Sequence, residues 1–441
     1  MRRPPESCSM NPNNNKVAVG ILAAVMIGPC GMTPSVLPFG FAGVAAIGPA
    51  PLHAAEKNIK REISDLVDSV LSAEDEAVRH EYIKKLRTYP PEEVGSCWLE
   101  LLNDTGRLGL KVRIIDQMSE YNDKRFVMPL AQYLISPHNP IRKSAARALK
   151  KIGDDRLYPV ILGMVNSDTP VHRIYFIEAM NYLYDRRFFP SLINLLRDDN
   201  KSVRIYVLNC LKENRITESL VMMRGAALGD KNDEVRIAAI DAIGALRDGN
   251  ALGVLHAVLS DKNRDVRCES ARVLSLFSSP ASVVPISYRL LVEDDNEIKE
   301  LMIGTLAALR QAGDIRGLEK IMLNDGNSAL RIRSAYVLGF SGSLQALMAL
   351  RRGLADDDYR VRAEVCNSLG NYRNRLALAS LFEVLEKRDL VYVRSAALYS
   401  IKRINDKSSL MGLFDLYTRE GDPIFKEMLR DAIREYIKRF I

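Results

Sequence analysis

The sequence predicts an all-α solenoid, a right-handed superhelix of about twelve two-helix repeats of 31–32 residues. Three observations carry that expectation. An aliphatic–basic pair recurs at a fixed spacing, and small or apolar residues follow each pair at helical intervals. No stretch alternates polar and apolar residues between hairpin turns, as strands would.

The pairs are Val78-Arg79, Leu110-Lys111, Ile141-Arg142, His172-Arg173, Val203-Arg204, Val235-Arg236, Val266-Arg267, Ile298-Lys299, Leu330-Arg331, Val361-Arg362, Val393-Arg394 and Ile424-Phe425. Neighbouring starts lie 31 or 32 residues apart throughout, and eleven of the twelve have Lys or Arg second, a regularity that chance does not produce. The clearest copy runs from Val235 to Gly244, with Asp248 four residues later. It reads as a first helix, apolar at i, i+3 and i+4. Asn232-Asp233-Glu234 and Asp294-Asp295-Asn296 supply caps for such helices, accepting bonds from free backbone N–H groups. The second helix follows a short turn, as in Ala251 to Leu259, and ends at Ser260-Asp261-Lys262-Asn263. One such pair cannot bury both apolar faces, so units must stack on a common core.

Composition agrees with a packed helical body: 47% of the 441 residues are hydrophobic, 27% are charged and there is one Trp. A net charge of +7 on so long a chain suits solubility and argues only weakly for nucleic acid. The cysteines, Cys8, Cys30, Cys97, Cys210, Cys268 and Cys366, form no C-x-x-C pair and lie at no zinc-site spacing to a histidine.

Three segments are expected. Residues 1–55 read as an export signal or membrane-anchoring leader, and otherwise as a disordered tail: Arg2, Arg3 and Lys16 give a basic start, Val17 to Gly28 is an apolar run, and the segment ends at Ala54-Ala55. Cys30 invites lipid attachment, although Pro29 departs from the usual small residue before such a cysteine. The leader carries three basic residues and one acid, so its removal takes the net charge from +7 to +5. Residues 56–75 read as an amphipathic capping helix, and 76–441 as the solenoid. The eighth unit differs: its Gly313-Asp314 turn comes three residues late, which predicts an extra helical turn or a shifted register. The last unit has room for one helix only.

The Val-Arg start, the small-and-apolar body of Ala335 to Gly339 and the turns Gly153-Asp154 and Gly313-Asp314 resemble HEAT repeats, in particular the short HEAT-like class associated with phycobilisome lyases. The resemblance covers about 76–441. It implies the fold and is nearly silent on function, because that class spans enzymes, adaptors and nucleic-acid binders. It also implies a structural ladder: Arg79, Arg142, Arg173, Arg204, Arg236, Arg267, Arg362 and Arg394 would pair with the turn carboxylates Asp123, Asp154, Asp185, Asp248 and Asp406.

Chemistry-bearing motifs are scarce. His80-Glu81 is a single copy of a pair that HEAT-type hydroxylases use four times to hold two irons, and neither a phosphate loop nor a nucleophile elbow appears. The reading is therefore a scaffold without catalytic residues, metal or cofactor. Tyr175, Tyr182, Tyr184, Arg186, Arg187 and Tyr206 are candidate partner-binding residues, since aromatics with Arg favour protein contacts. The expected partner is a protein or peptide lying along the second helices, in an exported, periplasmic or membrane-associated setting. The alternatives are a nucleic-acid-binding array like the HEAT-type DNA glycosylases, which would be cytoplasmic, and a bilin-lyase-like protein.

Overall fold

A computed structural model describes residues 50–441, apart from 105, 107, 388 and 441. The leader up to residue 49, with Cys8 and Cys30, lies outside the described residues. Residues 59–441 form one compact unit, and the described residues before it, 50–58, are helical. The described residues contain 24 α-helices and no strand.

Twelve first helices recur in order: Glu76–Leu86, Leu108–Met118, Asn139–Ile152, Pro170–Leu183, Lys201–Glu213, Asp233–Ala245, Arg264–Phe277, Asn296–Leu309, Ser328–Leu338, Tyr359–Leu369, Val391–Ile404 and Pro423–Phe440. Units 1–11 each add a second helix, such as Leu157–Val165 in unit 3, Leu252–Val258 in unit 6 and Arg375–Glu386 in unit 10. Unit 12 has its first helix alone. Before the array runs a helix, Ala50–Ser72, which starts six residues ahead of the expected leader boundary. Its Ile63, Val67 and Val70 are buried, the Tyr89 hydroxyl donates to Glu62 at 3.1 Å, and Arg113 donates to the Leu71 carbonyl at 3.3 Å.

Unit 6 shows why the chain folds this way. Asn232 has extended backbone ahead of the first helix, and Asp233 and Glu234 in its first turn face the positive end of the helix dipole. Val235, Ala239, Ile240, Ala242 and Ile243 fall on one side and are buried. Arg247, at φ 52°, breaks the helix, and Asp248 then accepts the Asn250 amide to start the next turn. From unit 2 onward each first helix packs against the first helix of the following unit, so the buried side chains join into one long core. Small residues set the approach: a Cβ at Gly244 would lie 2.9 Å from both methyl groups of Val273 on the next first helix.

Unit 8 resolves its late turn by a shifted register. Its first helix has 14 residues, as in units 3, 4 and 7. The additional residues lengthen the turn, and Asp314 caps the second helix, Ile315–Asn324, directly. In units 4 and 6 the corresponding aspartate instead caps a 3-10 lead-in. Among the described residues no helix is long and apolar enough to cross a membrane.

Candidate partner-binding surface

The basic residue near the start of each first helix sits at the edge where one unit passes to the next. Arg173 forks onto Asp198 at 2.6 and 2.9 Å, and Arg204 onto Asp230 at 2.7 and 2.8 Å. Arg236 meets Asp261 at 2.8 Å and Asp233 at 2.6 Å, and Arg267 meets Glu293 at 3.0 Å. Lys299 reaches Asp325 at 2.7 Å, Arg331 forks onto Asp356, Arg362 forks onto Asp389, and Arg394 pairs with Glu420. Five loop aspartates are held from both sides. The Asp198 carboxylate accepts from Arg173 while its carbonyl accepts from Arg204 at 2.7 Å. Asp230, Asp261, Asp325 and Asp356 repeat that double grip.

These acids are not the ones the turn position suggested. Asp248 lies 12 residues after Arg236, past the far end of the same helix, and at ~1.5 Å per residue that is about 18 Å away. The turn acids have other work. Asp123, Asp154 and Asp185 cap the lead-in to their second helices, each accepting the amide of the residue two further on, and each also clasps the side chain of that residue, Arg125, Arg156 or Arg187. Arg156 then reaches back to the Lys124 carbonyl at 2.8 Å, and the Arg156 guanidinium holds the Asp154 carboxyl down at about 2. Asp248 pairs with Arg224 at 2.7 Å, and Asp406 caps Ser408. At the head of the array Arg79 meets no carboxylate within salt-bridge distance among the described residues and donates to the Ala73 carbonyl at 2.6 Å. Arg142 takes Glu178 of the next first helix, where the loop offers Ser167 in place of an acid. Arg142, Arg204, Arg236 and Arg394 are at most 8% exposed, so these cations are largely withdrawn from solvent.

The aromatic candidates are dispersed. Tyr175 is half-buried beneath the Arg142 guanidinium, 4.0 Å from ring centre to Cζ, and Tyr182 is half-buried on the same first helix. Tyr206 is exposed on the next first helix. Tyr184, Arg186 and Arg187 lie at the turn edge, where Arg186 holds Glu218 at 2.7 Å and Arg187 lies over Tyr158. None of the six lies on an α-helical second helix.

What the periodicity did not disclose is the solvent side of the second helices. Val221 and Leu228 in unit 5, Val284 and Tyr288 in unit 7, Leu344 and Met348 in unit 9, and Met411 and Phe414 in unit 11 are all exposed. Within each helix they fall at i, i+3, i+4 or i+7 and so share one face. Grooves run between these helices, one of about 910 Å³ between units 8 and 9 and one of about 510 Å³ between units 9 and 10. Among the described residues no group of three or more His, Cys, Asp or Glu could hold a metal ion. The four described cysteines are unpaired, and burial pushes the Cys210 and Cys366 thiols up to about 12.

Helix pairs stacked on one core, with charged links along the edges, define an α-solenoid. The family model described as HEAT repeats matches residues 221–307 and 315–402, and the described residues have the fold of a HEAT-like solenoid. No curated protein matches it. Among solved structures it is similar to Kap121p, with 14% identity and a TM-score of 0.51 over 86% of this chain and 49% of that one. A Kap121p mutant gives 13% identity and 0.51 over 89% and 50%, and Kap121p bound to Nup53p gives 13% and 0.50 over 86% and 49%. The chain thus spans about half the length of these structures, and the likeness is one of fold.

Proposed function

We propose that the chain is a non-catalytic scaffold that takes a protein or peptide partner along its row of second helices, and that residues 1–55 direct its export. The observation that carries the first part is the set of exposed apolar side chains on the second helices of units 5, 7, 9 and 11, with grooves on either side of the unit 9 helix. Rows of apolar anchors that recur on one face suit multipoint contact with an extended partner. The carboxylate pairing and burial of Arg142, Arg204, Arg236 and Arg394 favour a structural role for the most regular cation row over phosphate binding. Kap121p, of the same fold, has been solved bound to Nup53p, a precedent for protein binding by such an array. Export is supported by the basic start, apolar run and small-residue end of the leader.

Site-specific photo-crosslinkers at Tyr288 and Met411, on second helices, and at Tyr206 and Tyr399, on first helices, test the face in the source cells. Discrete adducts at the first pair alone are expected, and adducts confined to the second pair would sink the reading. Mass spectrometry of the native N-terminus tests export. A start near residue 55 is expected, a lipid on Cys30 would make the scaffold an anchored one, and an intact leader on a cytosolic protein would remove the proposal.

A further inference from the structure

This inference rests on the second-helix row being the binding face, and names the partner chemistry at one place on it. The second helix of unit 9, Leu344–Gly353, stands between the two grooves just described. Both grooves are lined by Met348 and Arg352, so they form one continuous trough over that helix. Its apolar part is Leu344, 61% exposed, and Met348, 49% exposed. No Phe, Tyr or Trp lines either groove.

The rim is charged, and the two signs are not equally presented. Between units 8 and 9, Asp314 and Glu319 are tucked in, with side chains 29% and 22% exposed, while their partners Arg316 and Arg352 are 65% and 61% exposed. Each carboxylate is already neutralised by a guanidinium that still shows most of its surface to solvent. Between units 9 and 10 the pair Arg351–Glu383 runs the other way, at 34% and 49%, but Lys387 beside it has no carboxylate within salt-bridge distance among the described residues. Four cations line the trough against three acids.

We propose that this trough binds a peptide segment whose acidic side chains flank an aliphatic anchor. The anchor packs on Leu344 and Met348, and the carboxylates meet Arg316 and Arg352 from the side their own acids leave open. Guanidinium groups suit this because their fork accepts a second carboxylate without releasing the first. A peptide fits better than a single-stranded nucleic acid because binding of that kind draws on aromatic side chains for base stacking, and these grooves offer none.

The test uses the whole chain and fluorescence anisotropy with three labelled probes. One is a peptide of about a dozen residues with Asp and Glu around a central Leu pair; the second has Lys and Arg in place of the acids; the third is a short DNA oligonucleotide. The acidic peptide should bind, and its affinity should fall about tenfold between low and moderately high salt. The double variant Arg316→Glu/Arg352→Glu should lose about tenfold or more at an unchanged melting temperature, as each 1.4 kcal/mol is tenfold. Arg316→Gln/Arg352→Gln serves if charge reversal disturbs folding, and Met348→Asp should weaken binding independently. Equal or tighter binding of either other probe overturns the proposal, as does indifference of the acidic peptide to both double variants. Its failure is separable from that of the binding face: crosslinks at Tyr288 that the acidic peptide does not compete away defeat the chemistry and leave the face standing.

Discussion

The two loop edges of the array solve the same problem differently. At the edge between units, an arginine is largely buried, its side chain 4–17% exposed, and its carboxylate comes from the next loop, 25–27 residues on. At the turn within a unit, an aspartate clasps the arginine two residues later, and that arginine is about half exposed. The first arrangement ties neighbours together and leaves a charge stranded if half of it is removed. The second shapes a single chain reversal that water can repair. Local pairing therefore builds the unit, and distant pairing sets how units stack.

The largest expected effect comes from breaking the buried edge. Arg236→Ala should cost about 3–5 kcal/mol, since it leaves the mostly buried Asp261 carboxylate without its cation. Denaturant unfolding would measure the loss, and hydrogen exchange should place it in units 5–7. A loss no greater than that of a turn variant would erase the distinction between the edges.

Acid should weaken the edge between units next. The Arg362 guanidinium holds the Asp389 carboxyl below its ordinary value, and Arg394 does the same for Glu420. Their contribution is complete above the unfolded values of about 3.9 and 4.3 and is lost as pH falls through the lowered folded values. The melting temperature should therefore drop on acidification below about pH 4. Asp389→Asn should flatten that drop and cost about 1–3 kcal/mol at neutral pH.

Lys299→Arg sharpens the comparison in the other direction. Lys299 reaches Asp325 and Asn296 but not the Glu293 carbonyl, the counterpart of the carbonyls that Arg204 and Arg267 reach. An arginine there should restore the fork and add about 1 kcal/mol, read as a rise in melting temperature. The smallest effect belongs to the turn edge. Asp185→Ala removes a cap and a half-exposed clasp and should cost about 0.5–1 kcal/mol, with partner binding unaltered.

Much of this was legible in the sequence, and the gaps have physical causes. The aliphatic–basic pairs fixed the number of units, because burial of one helical face forces a residue pattern that survives in every copy. The arginines of the ladder were equally visible. Their acids were not, although Asp198, Asp230, Asp261, Glu293, Asp325 and Asp356 recur six residues before the next basic residue as regularly as the arginines do. The caps at Asn200, Asn263 and Asn327 hid them: these satisfy local helix ends, while the acid two residues earlier serves a residue one unit back. Tyr175 misled for a related reason. An aromatic beside an arginine suggests a contact surface, but here the ring is already covered by Arg142. The exposed pairs such as Val284 and Tyr288 were invisible because they lie on the solvent side of helices whose buried stripe alone governs the repeat.

The doubly held loop aspartates have a mechanical consequence. Consecutive units are linked by short charged ties joined end to end, so a bending load passes from tie to tie and deformation concentrates at the most compliant one. Within the run from Arg173 to Arg394, Lys299 is that member, with a single ammonium on a flexible stem where most neighbours present a rigid fork. A partner that strains the array should flex it at unit 8, with the units before and after it moving as stiffer arms.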